Sequence, residues 1–272
     1  MRLSKRLKEI ASFVSKGYSM ADIGTDHGFV PIYLVDNKIT PYAIAMDINL
    51  GPLEIARDNI KKANLEDFIE VRQSNGVENL GVKEVDSLVI AGMGGKLIKD
   101  IISARPYLIA ELKECILQPQ SDIKDLRAFL ISMGFEFVQE DIVEEDDKFY
   151  FIMKVKHSSF EDKEHNMHKE HIHSMESIIY VAGNSQEEYS QEELCFGRKL
   201  LHNKNPILKK FLIKEKQIKE DIISRLEGIT IKNSSYSTNN HDRSKDYNIK
   251  KRLDELKVEL NNIKGGLSYY DM

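Results

Sequence analysis

Between positions 20 and 155, short apolar runs alternate with stretches whose apolar residues recur every three or four positions. The runs at 20–23, 43–47, 69–73, 87–91 and 114–118 are strand-sized, and the segments 28–37, 52–63, 96–104 and 123–133 carry helical spacing. Strand–helix alternation at this interval predicts βαβ units and a mostly parallel sheet. After Gly134 the pattern changes: 135–143 and 148–156 are both strand-like, with only acidic residues between them. Two runs joined this tightly predict an antiparallel hairpin at one end of the sheet. At the N-terminus Leu3, Leu7, Ile10 and Val14 have helix spacing without an uninterrupted apolar block or a small-residue cleavage site. That pattern predicts a helix rather than a signal peptide.

Beyond 157 the pattern weakens and then returns in a different form. Residues 157–193 are polar, rich in Glu, His, Ser and Asn, and predict irregular or partly helical chain. Asn205 can cap a helix that has Pro206 at its first position. Apolar residues follow at Leu208, Phe211, Ile218, Ile222, Leu226 and Ile229, then a polar linker at 233–245. A second helix repeats at Ile249, Leu253, Leu256, Leu260, Ile263 and Leu267, in alternating steps of three and four that make a heptad seam. The expected architecture is an α/β domain over 1–157 and a C-terminal helical domain over 158–272. The latter would contain an antiparallel coiled-coil hairpin at about 205–268.

Composition narrows the class. With 41% hydrophobic and 31% charged residues, and no apolar run of membrane-spanning length, the 272-residue chain reads as a globular, non-membrane protein. The two cysteines, Cys115 and Cys195, are too far apart for a disulfide framework or metal knuckle to be read, and a cytoplasmic setting is expected. The net charge of −5 hides an asymmetry: the segment from Lys199 onward carries about +6, and the rest about −11. A basic C-terminal part can face a polyanion, although lysine-rich helices are also simply well solvated.

The chemistry concentrates in the loops that follow the predicted strands. In ADIGTDHGFVP (21–31), Asp22, Gly24, Asp26 and Gly28 stand at every second position. The G-x-G-x-x-G fingerprint of a dinucleotide site is absent. The arrangement resembles instead the first motif of S-adenosylmethionine-dependent methyltransferases, whose loop wraps a cofactor that carries positive ammonium and sulfonium groups. On that resemblance Asp22, Gly24, Thr25, His27 and Gly28 are candidate cofactor contacts. Asp47 closes the next strand, followed by Ile48, and a carboxylate there suits ribose hydroxyls; a helix cap or loop role is the alternative. Asn75 and Gly76 follow the third strand, where such enzymes hold the adenine, often with Asp; the Asn75 carbonyl can accept the same bond. The fourth strand leaves through IAGMGG, giving Ala91, Gly92 and Met93, with glycines that would admit a flat base close to the methyl group. An ordinary strand-to-helix turn is the alternative there.

Taken together, ADIGTDHGFVP, AMDINLGP, IAGMGGKLI, LQPQSDIKDLRAFL and the EDDKFYFI hairpin resemble the bacterial tRNA (adenine-22-N1)-methyltransferase family, over positions 3 to 156. The coiled-coil part resembles that family's helical domain more loosely. The resemblance implies a Rossmann-like methyltransferase fold with a mostly parallel seven-stranded sheet and an antiparallel end hairpin. It further implies methyl transfer from S-adenosylmethionine to N1 of a D-arm adenosine in tRNA. Asn75 departs from the family's usual Asp. Asp26 is the candidate catalytic residue, with loop capping as its structural alternative. Phe149 or Tyr150 could stack on an extruded base, or belong to the core. The basic hairpin would hold phosphates, and a monomer is favoured. Alternative functions are methylation of another RNA or a small molecule, or a non-catalytic coiled-coil interaction protein. No metal is expected: His165, His168, His171 and His173 read as a solvated segment, and Glu144–Asp147 as a hairpin turn.

Overall fold

Four consecutive buried residues, Met20–Ile23 (β1), form the middle of a sheet. A computed structural model describes residues 3–158, 188–234 and 242–271. In it β1 pairs in parallel with Ala43–Asp47 (β2) on one side and Ser87–Met93 (β4) on the other. Ile69–Gln73 (β3) flanks β2, and Glu114–Pro119 (β5) flanks β4, both in parallel. Phe135–Glu145 (β6) and Lys148–His157 (β7) close the other end as an antiparallel hairpin, so the order is β3-β2-β1-β4-β5-β7-β6. The expected fold class is therefore observed. The hairpin turns on Asp146 and Asp147, both left-handed at φ +50° and +60°. A two-residue turn of that hand matches strand twist, and Asp tolerates it. The turn expected at Glu144–Asp147 is thus present but shorter, since Glu144 and Glu145 still belong to β6.

Helices cover both faces. Lys5–Ser12 (α1), Phe29–Asp36 (α2) and Leu50–Lys62 (α3) lie on one, where Ile10, Phe13, Leu34, Ala56 and Ile60 pack with Met20, Ala43, Val89, Ile116 and Ile152. Gly95–Ala104 (α4), Pro106–Ala110 (α5) and Ile123–Ser132 (α6) accompany β4 to β7. Helix α5 is not marked in the sequence: five residues are too few to display a helical period. None of the helices among the described residues is long and apolar enough to cross a membrane.

A buried carboxylate fixes α1 to the sheet. Glu114, 3% exposed, accepts from Ser15 N (2.8 Å), Ser15 Oγ (2.7 Å) and Ser87 Oγ, and pairs with Lys154 Nζ at 2.7 Å. Lys154 also donates to the Phe13 carbonyl at 3.0 Å. Glu114 begins β5, so this cluster pins the end of α1 to the amino edge of the parallel strands. The start of α1 accordingly lies towards the carboxyl edge.

The chain divides into two compact units, 1–188 and 189–272. The boundary expected at 157/158 abuts residues 159–187, which lie outside the described residues together with the four expected histidines. The second unit opens with Gln191–Phe196 (α7), begun by a reciprocal Ser190–Glu193 capping box, then Arg198–His202 (α8). Neither helix was expected. Pro206–Ser234 (α9) and Asp242–Ser268 (α10) follow, and Asn205 Oδ1 accepts from Ile207 N and Leu208 N as the predicted cap. The contacts Asn205–Tyr270, Lys219–Glu259 and Glu227–Lys257 run in opposite directions along the two helices, which makes the hairpin antiparallel.

Two expectations need correction here. The linker is shorter than 233–245, because Ser234 and residues from Asp242 onward are helical. The seam of α10 holds, with Leu253, Leu256, Leu260 and Ile263 buried, and that of α9 holds in part: Leu208 is buried, Ile222 and Leu226 pack partly buried against the cluster, and Leu212 and Ile223 join as buried residues that were not expected. Ile218 and Ile229 are 40% and 44% exposed. Beside Ile218, Lys219, only 18% exposed, occupies the inward position and pairs with Glu215 and Glu259. A lysine can lie in a seam by burying its methylene stem while its ammonium stays paired.

Candidate active site

The parallel strands run outward from β1 in one direction and from β4 in the other. Their reversal leaves a crevice at the carboxyl edge between β1 and β4, the position where open α/β sheets bind ligands. The loops after these two strands meet there. Gly24 has φ +75°, and a Cβ on it would sit 2.2 Å from Met93 Cε, so the side chain of Met93 closes directly over the first loop. Gly24 N and Thr25 N both donate to the Met46 carbonyl, at 2.8 and 2.9 Å, which turns the loop across the end of β2.

A cavity of about 320 Å³ lies in this crevice. Asp22, Gly24, Thr25, Asp26 and His27 line one side; Ala91 and Gly92 line another; Arg6, Leu7, Phe29, Val30 and Gln120 complete it. Strand periodicity explains which side chains arrive. Asp22 shares the face of Met20, Gln118 that of Ile116 and Tyr150 that of Ile152, and those three apolar residues all belong to the core beneath α1 to α3.

Asp22 is 7% exposed, and no cation among the described residues pairs with it. Burial, with a smaller contribution from Asp47, pushes its carboxyl from the usual 3.8 up to about 6; the nearby Thr25 hydroxyl opposes this in part. Asp26 differs sharply. Its side chain is 78% exposed, and its Oδ2 lies 2.8 Å from His27 Nδ1. His27 in turn stacks on Phe29, with ring centroids 5.1 Å apart. Asp26 is thus accessible but held, oriented by a ring that is itself packed.

The other sequence candidates lie beside this cavity. Gly28 is the left-handed N-cap of α2. Asp47 closes β2 and its Oδ1 accepts from Asn49 N at 2.8 Å; Asn49, not Asp47, caps α3. Ile48 is 55% exposed. Asn75 Nδ2 donates to Glu78 Oε1 at 2.7 Å and its backbone carbonyl accepts from Glu78 N at 3.3 Å, while no hydrogen bond to its side-chain oxygen is seen among the described residues. Gly76 packs on Ile101 of α4. None of these five lines the cavity; Asp47, Ile48, Asn75 and Gly76 stand at the carboxyl ends of β2 and β3, one and two strands away. The glycine run after β4 is also divided in purpose. A Cβ on Gly95 would meet the Ser121 carbonyl at 2.7 Å, so that glycine serves backbone packing. Gly92, at φ +78°, faces the cavity.

Three polar residues went unnoticed in the sequence. Arg6 Nη1 donates to Gln118 Oε1 at 2.8 Å, the same oxygen accepts from Gly92 N at 3.2 Å, and Gln120 lies alongside. Gln118 did carry a signal: it is an amide within the apolar run ECILQP and is fully buried. Arg6 carried none, because a basic residue on an amphipathic helix is ordinary. Tyr150 lies under the Arg6 guanidinium, 5.4 Å from its centroid. Among the described residues there is no cluster of three side chains suited to a metal ion. Burial pushes the Cys115 thiol up, which leaves it inert.

Residues 3–153 match the family model described as a methyltransferase domain. The chain belongs to that family. Its sequence is 38% identical over 153 residues to the tRNA (adenine(22)-N(1))-methyltransferase of Bacillus subtilis, covering 56% of this chain and 64% of that protein. The aligned part is thus a little under two thirds of that relative. Among solved structures, the B. subtilis m1A22 tRNA methyltransferase TrmK is similar at 27% identity and a TM-score of 0.73, covering 98% of this chain and 99% of the other. M. capricolum TrmK, in complex with S-adenosyl-homocysteine, is similar at 27% identity and a TM-score of 0.67, covering 97% and 100%. The methyltransferase fold read from the strand loops is therefore the fold of this chain.

Proposed function

We propose that this protein transfers a methyl group from S-adenosylmethionine to N1 of adenosine 22 in the D-arm of tRNA. The observation that carries the reading is the pair of unlike carboxylates in one cavity at the sheet's reversal point. One is buried with no cation paired to it among the described residues, and the other is open to solvent. The named relatives supply the substrate class.

The donor set fits the cofactor. A buried carboxyl whose proton is held up to about pH 6 is a site that a bound cation completes, and the amino-acid end of S-adenosylmethionine carries an ammonium group. Asp22 would hold that group. Asp47 would accept from the ribose hydroxyls, and the Asn75 carbonyl from the adenine amino group. Thr25, Gly28, Ile48 and Gly76 would complete the walls, with Ala91, Gly92 and Met93 opposite. When bound, the cofactor supplies an electrophilic methyl group on a sulfonium.

The acceptor nitrogen has a free lone pair at neutral pH, so no proton leaves before the bond forms. The N1 lone pair makes the new N–C bond, the S–C pair returns to sulfur, and the positive charge moves to the adenine. Asp26 would stabilise that charge or accept from the exocyclic amino group, a reading supported by its place in the cavity and by the 2.8 Å contact of its Oδ2 with His27 Nδ1. N1 lies on the pairing edge of the base, so the nucleotide must leave any pair before it reaches the cavity. The basic helices of the second unit would hold the surrounding phosphates.

Mass spectrometry of nucleosides from tRNA incubated with the protein and S-adenosylmethionine tests the reading. N1-methyladenosine is expected at position 22 and is expected to vanish when that adenosine is replaced by guanosine. Methylation elsewhere, or none despite cofactor binding, overturns it.

A further inference from the structure

One amide in the cavity is held by its backbone and idle at its side chain. Gln120 follows β5, and its N donates to the Met93 carbonyl at 2.8 Å; one residue on, the Ser121 carbonyl accepts from Gly95 N at 3.0 Å. These two bonds lace the loops after β4 and β5 together and fix the point from which the Gln120 side chain starts. Its Nε2 lies beside Gly92, 3.7 Å from where a Cβ on that glycine would stand. The residue is exposed, lines the same cavity as Asp26, and its side chain makes no hydrogen bond among the described residues. Its polar neighbours are committed. Gln118 Nε2 donates to the Pro119 carbonyl at 2.9 Å, and its Oε1 accepts from Arg6 Nη1 and Gly92 N. Asp26 and His27 hold one another. Gln120 thus offers the cavity a donor and an acceptor side by side in one plane.

We infer that Gln120 is a specificity-determining residue of this site and reads the target adenine by its Hoogsteen edge. The inference rests on the proposed substrate. An enzyme that alkylates N1 has to leave that nitrogen bare, so the base must be recognised from another side. The Hoogsteen edge presents an N6–H donor beside the N7 acceptor, and a carboxamide matches both at once. Guanine presents two acceptors there, O6 and N7, so either orientation of the amide sets Oε1 against a lone pair. The exocyclic amino group of adenine has two hydrogens. The one beside N7 goes to Gln120 Oε1, and the one beside N1 remains for Asp26, so the two side chains share the group without competing. As the methyl group arrives and the ring becomes cationic, the amino hydrogens become stronger donors. The Gln120 contact therefore tightens in the transition state more than in the ground state. Gly92, beside Nε2, has no side chain to hold a base away from the amide.

Methyl-transfer kinetics of the full chain decide it, on tRNA carrying adenosine or 7-deazaadenosine at position 22. The second base keeps N1 and the amino group but has a C–H in place of N7. The readout is the ratio of kcat/KM on the two substrates, because comparing that ratio between proteins cancels any difference in N1 reactivity between the bases. Gln120→Ala should lose on the order of 10–100-fold on adenosine. Its preference for adenosine over 7-deazaadenosine should fall about tenfold relative to wild type. Gln120→Glu nearly preserves the shape, which keeps the comparison available should the alanine variant not fold. It turns an oxygen towards N7 in place of an N–H, so its preference should shift further, towards 7-deazaadenosine. A structural role would lower both substrates by one factor, and equal ratios in wild type and variants overturn the inference. Titration calorimetry with S-adenosylhomocysteine should give unchanged affinity for Gln120→Ala. A weakening as large as the loss of turnover places Gln120 on the cofactor and likewise overturns the inference. Wild type that binds S-adenosylhomocysteine but leaves adenosine 22 unmethylated overturns the proposed function itself; methylation with equal ratios overturns only the reading of Gln120.

Discussion

The two units of this chain seal their ion pairs to different degrees. In the sheet unit two structural ion pairs are sealed: Glu114 and Lys154 are 3% and 13% exposed, and Arg127 and Glu140 are each 1% exposed. In the helical hairpin two pairs are wetter: Arg252 and Glu255 are 49% and 48% exposed, and Lys257 and Glu227 are 53% and 48% exposed. Sealed charges are strongly coupled to the fold, because removing one strands the other in a poor solvent. Wet charges are worth little to stability and are free to exchange partners. A frame that must hold the first helix against the sheet is served by the first kind. A surface that follows a flexible polyanion is better served by the second.

The contrast is open to direct attack, and the largest effect is expected at the exposed carboxylate of the site. Asp26→Ala should lower kcat by about 10²–10⁴-fold with little change in tRNA affinity; single-turnover assays beside filter binding measure both, and unchanged turnover would remove Asp26 from the chemistry. Next comes Glu114→Ala, which leaves Lys154 buried and unpaired and should destabilise the fold by about 3–5 kcal/mol in urea denaturation. A midpoint equal to wild type would show that this cluster is not sealed after all.

Asp22 gives an intermediate effect, with a sign that runs against habit. Its folded pKa, about 6, lies above the usual 3.8, so its contribution to stability is complete below the usual value and is lost as pH rises through about 6. Asp22→Asn cannot ionise, and should therefore stabilise the ligand-free protein at pH 8 by up to about 2–3 kcal/mol while weakening S-adenosylhomocysteine. For the wild type, affinity should fall on acidification below pH 6, with proton release on binding, as calorimetry in two buffers of different ionisation heat would reveal. A pH-independent affinity between 5 and 8 would contradict the assignment.

Smaller effects belong to the hairpin. Lys250→Glu with Lys251→Glu, two exposed positions of α10, should raise the tRNA Kd by about tenfold and reduce its salt dependence by roughly two contacts, with cofactor affinity intact. Equal tRNA binding would separate the basic hairpin from RNA recognition. Least of all, Glu255→Ala should shift stability by no more than about 0.5 kcal/mol, and a large loss there would erase the distinction between the units.

Most strands were legible because each is an apolar run bounded by loop residues, and β1, β2 and β3 fall at the expected positions. The elements that were not legible share a physical cause. Helices α5, α7 and α8 have five or six residues, less than two turns, and so show no period. The α9 seam was misread at Ile218, because hydrophobicity alone assigns its neighbour Lys219 to the outside. Its burial depends on Glu215 one turn earlier and on Glu259 in the partner helix.

The candidate site divides along the same line. Asp22, Gly24, Asp26 and Gly92 were readable because a loop leaving a parallel strand opens onto the ligand-binding edge, and each stands at or just after the end of its own strand. Arg6 and Gln118 meet across 112 positions, and no local pattern encodes that meeting. The sequence by itself determined the order of strands and helices and the chemistry of the loops, since both follow from short-range periodicity and residue type. Only the tertiary structure decided that one aspartate would be buried, that its near neighbour would stay open, and that an arginine of the first helix would line the same cavity. Burial and pairing are properties of what the rest of the chain brings alongside, and they set the charge that a side chain can carry.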